Sequence, residues 1–231
     1  MKNLNSNRLD ISELFISSEV AIELDIKRSD EDKSYITLID VEGLEIKSSS
    51  SKLEIIDPEK KEREDARKSD VLDAVKEIID HPITVQNVLK TLSSVKSNLD
   101  NSDHKTAKIE CHVVSGSPFK LKANKVVMSV ADVDLQYSLK INDLNLSTEN
   151  SGYSGHIETN KIKIQSESFS VNGSLAISTN SSKFKLKRKK DHVFSTILDC
   201  NDNKLSIDSK LLDNSGNKLE IDANKASGYI K

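Results

Sequence analysis

Residues 119–126 read FKLKANKV, and residues 219–226 read LEIDANKA. A looser copy, HIETNKI, occupies 156–162. In the first copy Phe119, Leu121 and Ala123 fall on one side of an alternating strand, and Lys120, Lys122 and Asn124 on the other. Val127 continues the apolar phase. Leu219, Ile221 and Ala223 repeat the arrangement, and Ile157 and Thr159 hold those places in the looser copy. The common feature is a small residue before the asparagine. A small inward side chain lets a sheet bend or lets another strand come close. Asn-Lys then suits a turn or bulge, because asparagine accepts positive φ and bonds to nearby backbone. Asn124, Asn160 and Asn224 lie 36 and then 64 positions apart. That irregular spacing reads against a strict solenoid repeat. An all-β chain rich in Ile, Leu, Lys and Asn also produces such likenesses by chance.

Strand signals extend outward from these phrases. From Thr106 onward alternating segments follow one another, separated by Ser-Gly, Asn-Gly, Asp-Asn and Asn-Ser-Gly. About nine consecutive antiparallel strands are expected, and they need a sandwich, jelly roll, barrel or curved sheet to cover their apolar face. Upstream, EVAIELDIK at 19–27 alternates strictly, with Val20, Ile22, Leu24 and Ile26 on one face. A second strand begins at Ser34 and changes phase between Asp40 and Gly43, which predicts a bulge or tight bend. Residues 52–55 add a third strand. Between them, Asp57-Pro58-Glu59 signals a helix start, and Val71, Leu72, Val75, Ile78 and Ile79 recur at helical spacing. Val85, Val88, Leu89, Leu92, Val95 and Leu99 form a second stripe after the break at His81-Pro82. The expected organisation is opening strands over 1–56, a two-helix insertion over 57–105 and a β domain over 106–231. The expected fold is mainly β, an antiparallel jelly-roll or groove-like curved sheet with that insertion.

Composition narrows the chemistry. The 231 residues carry a formal net charge of −3, with 4% aromatics and no Trp. Binding of nucleic acid through global positive charge and base stacking is disfavoured. Cys111 and Cys200 show no metal-ligand spacing and are either plain thiols or one disulfide. His81, His104, His112, His156 and His192 form no metal-spaced pair. Cys111 and His112, adjacent on a strand, should face opposite ways, which disfavours a dyad. No phosphate loop or nucleophile elbow is present. No enzyme, cofactor or metal is expected, although a hydrolase with an unrecognised site stays open. KFKLKRKK at 183–190 is the one concentrated basic stretch. Lys183, Lys185 and Lys187 share a face, either as contacts for phosphorylated headgroups or an anionic membrane surface, or as guards on an edge strand.

The segment from about 109 to 231 resembles the OstA-like β-jellyrolls of lipopolysaccharide export, of the LptA and LptC type. The resemblance rests on LKANKVVMS, on IETNKIKI followed by SFSVNGSLAIST, and on LEIDANKASGYI. It does not account for the opening strands, the helical insertion or the absence of an apolar leader in MKNLNSNRLD. What it implies is a non-enzymatic scaffold that shelters acyl chains, placed in the periplasm or cell envelope if a targeting segment was removed and otherwise cytoplasmic. The lining expected for such a groove is Leu121, Val127, Leu135, Leu139, Ile141, Leu144, Leu146, Ile157, Ile162, Ile164, Phe169, Val171, Leu175 and Ile177. Each is equally readable as closed core. The leading expectation is binding or relay of a lipid or lipopolysaccharide-like amphiphile. The other is a structural or adhesive β-sandwich that binds a protein partner through an exposed strand edge.

Overall fold

A computed structural model describes residues 8–11, 14–49, 51–62, 65, 69, 105–208, 211 and 216–231. It divides into two compact units, Met1–Ile56 with Thr106–Lys231, and Asp57–Lys105. In the second, the Asp57 carboxylate accepts from the Glu59 backbone N–H at 3.2 Å and residues 60–62 are helical. The apolar stripes expected to form two helices lie outside the described residues.

The first unit is almost entirely β. Its strands are β1 (Arg8–Ile11), β2 (Leu14–Ser18), β3 (Ala21–Arg28), β4 (Ser34–Asp40), β5 (Glu45–Ser48) and β6 (Lys52–Ile56), then β7 (Thr106–Val113), β8 (Pro118–Ala131), β9 (Leu135–Glu149), β10 (Gly152–Arg188), β11 (Ser195–Ile207) and β12 (Lys218–Ile230). They form one mixed sheet. The antiparallel pairing expected after Thr106 is not what the chain adopts. β8 pairs with β9, β9 with β10, β10 with β12 and β12 with β11, all parallel.

Parallel pairing decides the architecture. Pro118 pairs with Gln136 and Ala131 with Glu149, so β8 and β9 run in step over nearly their whole length. Yet three residues, 132–134, join them. A straight strand of this length spans about 45 Å, which three residues cannot retrace. Each strand must therefore bend back on itself, so that its end returns to a point one strand spacing above its start. The 37-residue β10 contains two such circuits: residues 153–166 pair with β9 and residues 174–186 with β12. The result is a β-solenoid of two-armed coils, not a jelly roll.

The bend sits at the asparagine of the opening phrase. In each ladder the register skips one residue on each strand: Asn124 and Asn142, Asn142 and Asn160, Asn180 and Asn224, Asn201 and Asn224. Burial changes phase there. In β9, Leu135, Tyr137, Leu139 and Ile141 point inward before the corner, and Leu144, Leu146 and Thr148 after it. Both arms thus turn their apolar side chains to one interior. The asparagines link coils along the stack, with Asn201 Nδ2 donating to Asn224 Oδ1 at 2.9 Å and Asn224 Nδ2 to Asn180 Oδ1 at 2.8 Å. This is the side-chain ladder that stacked parallel strands permit. Thr159 and Thr179 donate across the corner to the carbonyls of Lys161 and Ser181, at 2.8 and 3.2 Å.

The repeat is therefore regular where the phrase looked irregular. Asn124 and Asn160 are 36 positions apart because Asn142, flanked by Ile141 and Asp143, marks the coil between them. The longer interval to Asn224 contains the corners at Asn180 and Asn201. The corner asparagines also do not adopt positive φ. Among the described residues outside glycine that conformation occurs at Asp132, Asn150 and Asp191, in the turns that close one coil and open the next.

At the amino-terminal end, β2 and β3 form the two arms of a coil that pairs with β8, Ile16 beside Leu121 and Leu24 beside Met128. β6 and β7 form the next coil out, parallel to β2 and β3. In sequence, residues 57–105 lie between β6 and β7. Antiparallel β4 and β5 cover the coil. β4 shifts register at Leu38/Asp40, and a tight turn, Leu44 N–H donating to the Val41 carbonyl at 3.1 Å, follows where the bulge or bend over Asp40–Gly43 was expected.

Candidate binding surface

Thirteen of the expected lining residues are buried, from Phe169 at 0% to Ile141 and Ile162 at 3% exposed, and they belong to one continuous core. Val127 does not join them. It is 43% exposed, because the corner at Asn124 reverses the alternation and turns Val126 inward in its place.

The interior is occupied by the chain's own side chains. Phe119, Tyr137, Tyr153, Phe169 and Phe194 stack in succession along the coils, with centroid separations of 6.3, 5.4, 4.8 and 5.5 Å. These are contact distances for aromatic pairs. Gly155 and Gly228 allow close approach inside the stack. A Cβ at Gly155 would lie 2.1 Å from the Tyr137 carbonyl oxygen, and one at Gly228 would lie 1.8 Å from that of Phe184. Both glycines hold positive φ, +98° and +107°. Leu211 is buried at 1% and joins the same core beyond β11.

Reactive groups are drawn into this core. Cys111 is fully buried, and desolvation, with Glu110 and Asp25 nearby, pushes its thiol up. Burial likewise holds the Tyr137 and Tyr153 phenols well above their usual range. Cys111 and Cys200 are both free thiols. His112 faces away from Cys111, stacks on Tyr35 at 4.5 Å and meets Glu110 Oε1 at 2.8 Å. Among the described residues no group of three or more His, Cys, Asp or Glu side chains is placed to hold a metal, and no helix is long and apolar enough to cross a membrane.

Concavity is found on the arm that follows the corner. A depression of about 390 Å³ is lined by Ser129, Val130, Ala131, Ser147, Thr148, Glu149, Gln165, Ser166 and Glu167, none of them an expected groove residue. Seven of its nine lining residues carry polar side chains.

Lys183, Lys185 and Lys187 lie on the outer face of this same arm, with Phe184 and Leu186 at 0% exposure beneath. The segment is not a sheet edge. On one side Lys183 pairs with Ser227 and Lys185 with Tyr229 in β12. On the other side the first circuit of β10 is held by Thr179 Oγ1 donating to the Asn160 carbonyl at 3.3 Å and by the Lys187–Glu167 ion pair. The edge-guard reading of these lysines is thereby overturned. The analogous contact of Thr159 with Asn142 occurs one coil earlier, where Asn160 lies beside Asn142. By the same geometry Asn180 lies beside Asn160, Lys183 beside Lys163 and Lys185 beside Gln165. Ser227 pairs in turn with Lys204 of β11. Lys163, Lys183 and Lys204 thus share one row across the coils, with Lys185, Lys187 and Tyr229 beside it. The sequence showed the lysines of one strand. It hid Lys163 and Lys204, which reach the patch through register.

No family model matches this chain, and no curated protein matches it. Among solved structures, it is similar to a 1.95 Å crystal structure of a protein from Clostridium sporogenes described as a "putative cell adhesion protein". Identity is 9%, coverage is 98% of this chain and 97% of that one, and the TM-score is 0.32.

Proposed function

We propose that this chain is a non-catalytic structural or adhesive scaffold, a β-solenoid that binds partners through its outward surfaces. The observation that carries this reading is the filled interior. In a lipid-relay jelly roll the apolar faces part and leave a slot that acyl chains complete. Here the aromatic stack spans the coils at contact distance, and the residues that would line a slot are 0–3% exposed, Val127 apart. An acyl chain would have to displace them, and each buried Leu, Ile or Phe side chain contributes about 1.5–3 kcal/mol by its burial. The outward faces, in contrast, are flat, repetitive and polar, with side chains aligned at the strand spacing of about 4.8 Å. β11, at one end of the sheet order, presents a further pairing surface.

Native mass spectrometry of freshly purified protein, together with far-UV circular dichroism of Leu139→Asp, tests the reading. Lipid-free protein is expected, and a variant that fails to fold, because an unpaired charge buried at Leu139 costs several kcal/mol. Stoichiometric acyl lipid, with a folded Leu139→Asp that has lost it, would restore the lipid relay.

A further inference from the structure

We propose that the lysine face formed by Lys163, Lys183, Lys185, Lys187 and Lys204, with Tyr229 among them, is a docking surface for an anionic lipid bilayer. The inference deepens the scaffold reading by naming a partner for one of its faces. Three observations carry it. First, Lys163, Lys183, Lys185 and Lys187 lie on β10, inside the sheet, so protection of an edge does not explain them; Lys204 extends the patch onto the end strand β11. Second, they are largely unneutralised. Glu167 pairs with Lys187, whereas no described acid lies within ion-pair distance of Lys163, Lys183, Lys185 or Lys204. Like charges side by side in a sheet are destabilising, so the fold holds this cluster at a cost. Several other outward lysines are neutralised, Lys140 by Glu158 at 3.1 Å, Lys108 by Glu23 at 3.3 Å and Lys27 by Glu110 at 3.2 Å, although Lys122 also lies beside Lys140. Third, the array is two-dimensional. Lys163 and Lys183 lie one strand spacing apart, about 4.8 Å, Lys183 and Lys204 flank Ser227 at about 9.6 Å, and alternate residues along Lys183, Lys185 and Lys187 lie about 6.6 Å apart. A flat lattice of cations fits a plane of headgroups better than a single polyanion, which favours a groove or a single file.

The net charge of −3 does not oppose this docking at short range. At physiological salt, charges more than about 8 Å away are largely screened, and a bilayer in contact with this face senses the local cluster. Phe184 and Leu186 lie beneath the face and are fully buried. The attraction is therefore electrostatic, peripheral and reversible by salt. Each lysine near an anionic surface contributes about 1 kcal/mol.

Sedimentation with phosphatidylcholine vesicles, with and without 30% phosphatidylglycerol, tests the proposal. The intact chain should partition to the anionic vesicles at 0.05 M salt, ignore the neutral ones and release at 0.5 M salt. The triple variant Lys163→Gln/Lys183→Gln/Lys185→Gln should lose roughly 100-fold in partitioning. Lys120→Gln/Lys122→Gln/Lys125→Gln, which changes charge equally elsewhere, should lose far less. Circular dichroism verifies the fold of each variant. Should the triple variant misfold, Lys183→Gln alone and the salt release of the intact chain serve in its place. Absence of binding by the intact chain, or equal losses in both triple variants, would overturn the proposal. Binding to long-chain polyphosphate without binding to vesicles would overturn the bilayer assignment. All of these failures leave the scaffold reading standing if the protein is lipid-free and Leu139→Asp unfolds.

Discussion

Between Pro118 and Arg188 the coils stack in the order in which the chain makes them. At the two ends they do not. β2 and β3, near the beginning of the chain, lie between β8 and the later pair β6 and β7. β12, the last strand, lies between β10 and β11. In the middle run a closing turn of three residues leaves the chain nowhere else to go, so connectivity sets the order. At the ends a rival arrangement exists. β11 starts 21 positions after Ser174, close to the coil length, and could have stacked directly on β10. The order there must be selected by side chains. Gly228 is the clearest selector. Its place beside the Phe184 carbonyl admits no Cβ, and the residue that pairs with it in β11 is Leu205. Leu205 could not take the left-handed backbone, φ +107°, that Gly228 holds there without driving its Cβ into the Phe184 carbonyl.

The largest effects are expected where the interior is cut. Phe169→Ala removes a ring that touches both Tyr153 and Phe194 and should cost roughly 3–5 kcal/mol in urea unfolding. A loss under about 1 kcal/mol would mean that the middle run is not packed as described. Next comes the selector. Gly228→Ala combines a left-handed backbone with a blocked Cβ and should cost roughly 2–5 kcal/mol. Gly216→Ala, with open space around it and an ordinary φ, should change stability by less than about 0.5 kcal/mol. Equal effects at the two glycines would remove steric selection from the account.

Asn224→Ala removes two side-chain hydrogen bonds of the corner ladder, one on each side. Because the corner is exposed, a loss of about 1 kcal/mol is expected by thermal or urea unfolding. The thiols separate the two ends without mutation: Cys200, half-buried in β11, should react with a thiol reagent in the native protein, and Cys111, fully buried in β7, only on unfolding. The smallest effect is a pH dependence at Glu110. The hydrogen bond from Lys27 is the largest cause holding its carboxyl below the usual range; burial opposes it, and the hydrogen bond from His112 adds to the lowering. Its folded pKa is lower than its unfolded one, so its contribution is present above about pH 4.3 and fades as the pH falls further. With Lys27 47% exposed the contribution is a few tenths of a kcal/mol. Glu110→Gln should flatten the acid limb of the stability curve by that amount.

How much of this was legible in the sequence follows the same division. The alternation at 19–27 placed Val20, Ile22, Leu24 and Ile26 in the core, where they lie. The strands at 34–40 and 52–56, the bend after Asp40 and the inward face of most of the later segments were equally readable, because period two survives any pairing direction. Parallel stacking was not readable. Hydrophobic alternation is the same for parallel and antiparallel partners, and the corner phrase varies too much, from Ala-Asn-Lys to Ile-Asn-Asp to Thr-Asn-Ser, to declare its period. Val127 was misplaced for the same reason: an unrecognised corner shifts every later residue to the other face. Of the binding surface, Lys183, Lys185 and Lys187 could be seen along one strand, whereas Lys163 and Lys204 join them through pairings that no local pattern encodes.

The stacked, partly reordered coils can be tested by distance measurements between spin labels in a Cys200→Ser background, with Cys111 buried. Lys122, Lys140 and Glu158 lie in one outward row, which continues through Asp222 to Asp199. At about 4.8 Å per coil, labels at Lys122→Cys and Asp222→Cys should lie about 19 Å apart at the backbone, and labels at Lys122→Cys and Asp199→Cys about 24 Å. A longer distance to position 199 than to 222 is the predicted result. A shorter distance to 199 would mean that the coils stack in chain order, and distances unrelated to the coil spacing would contradict the solenoid itself.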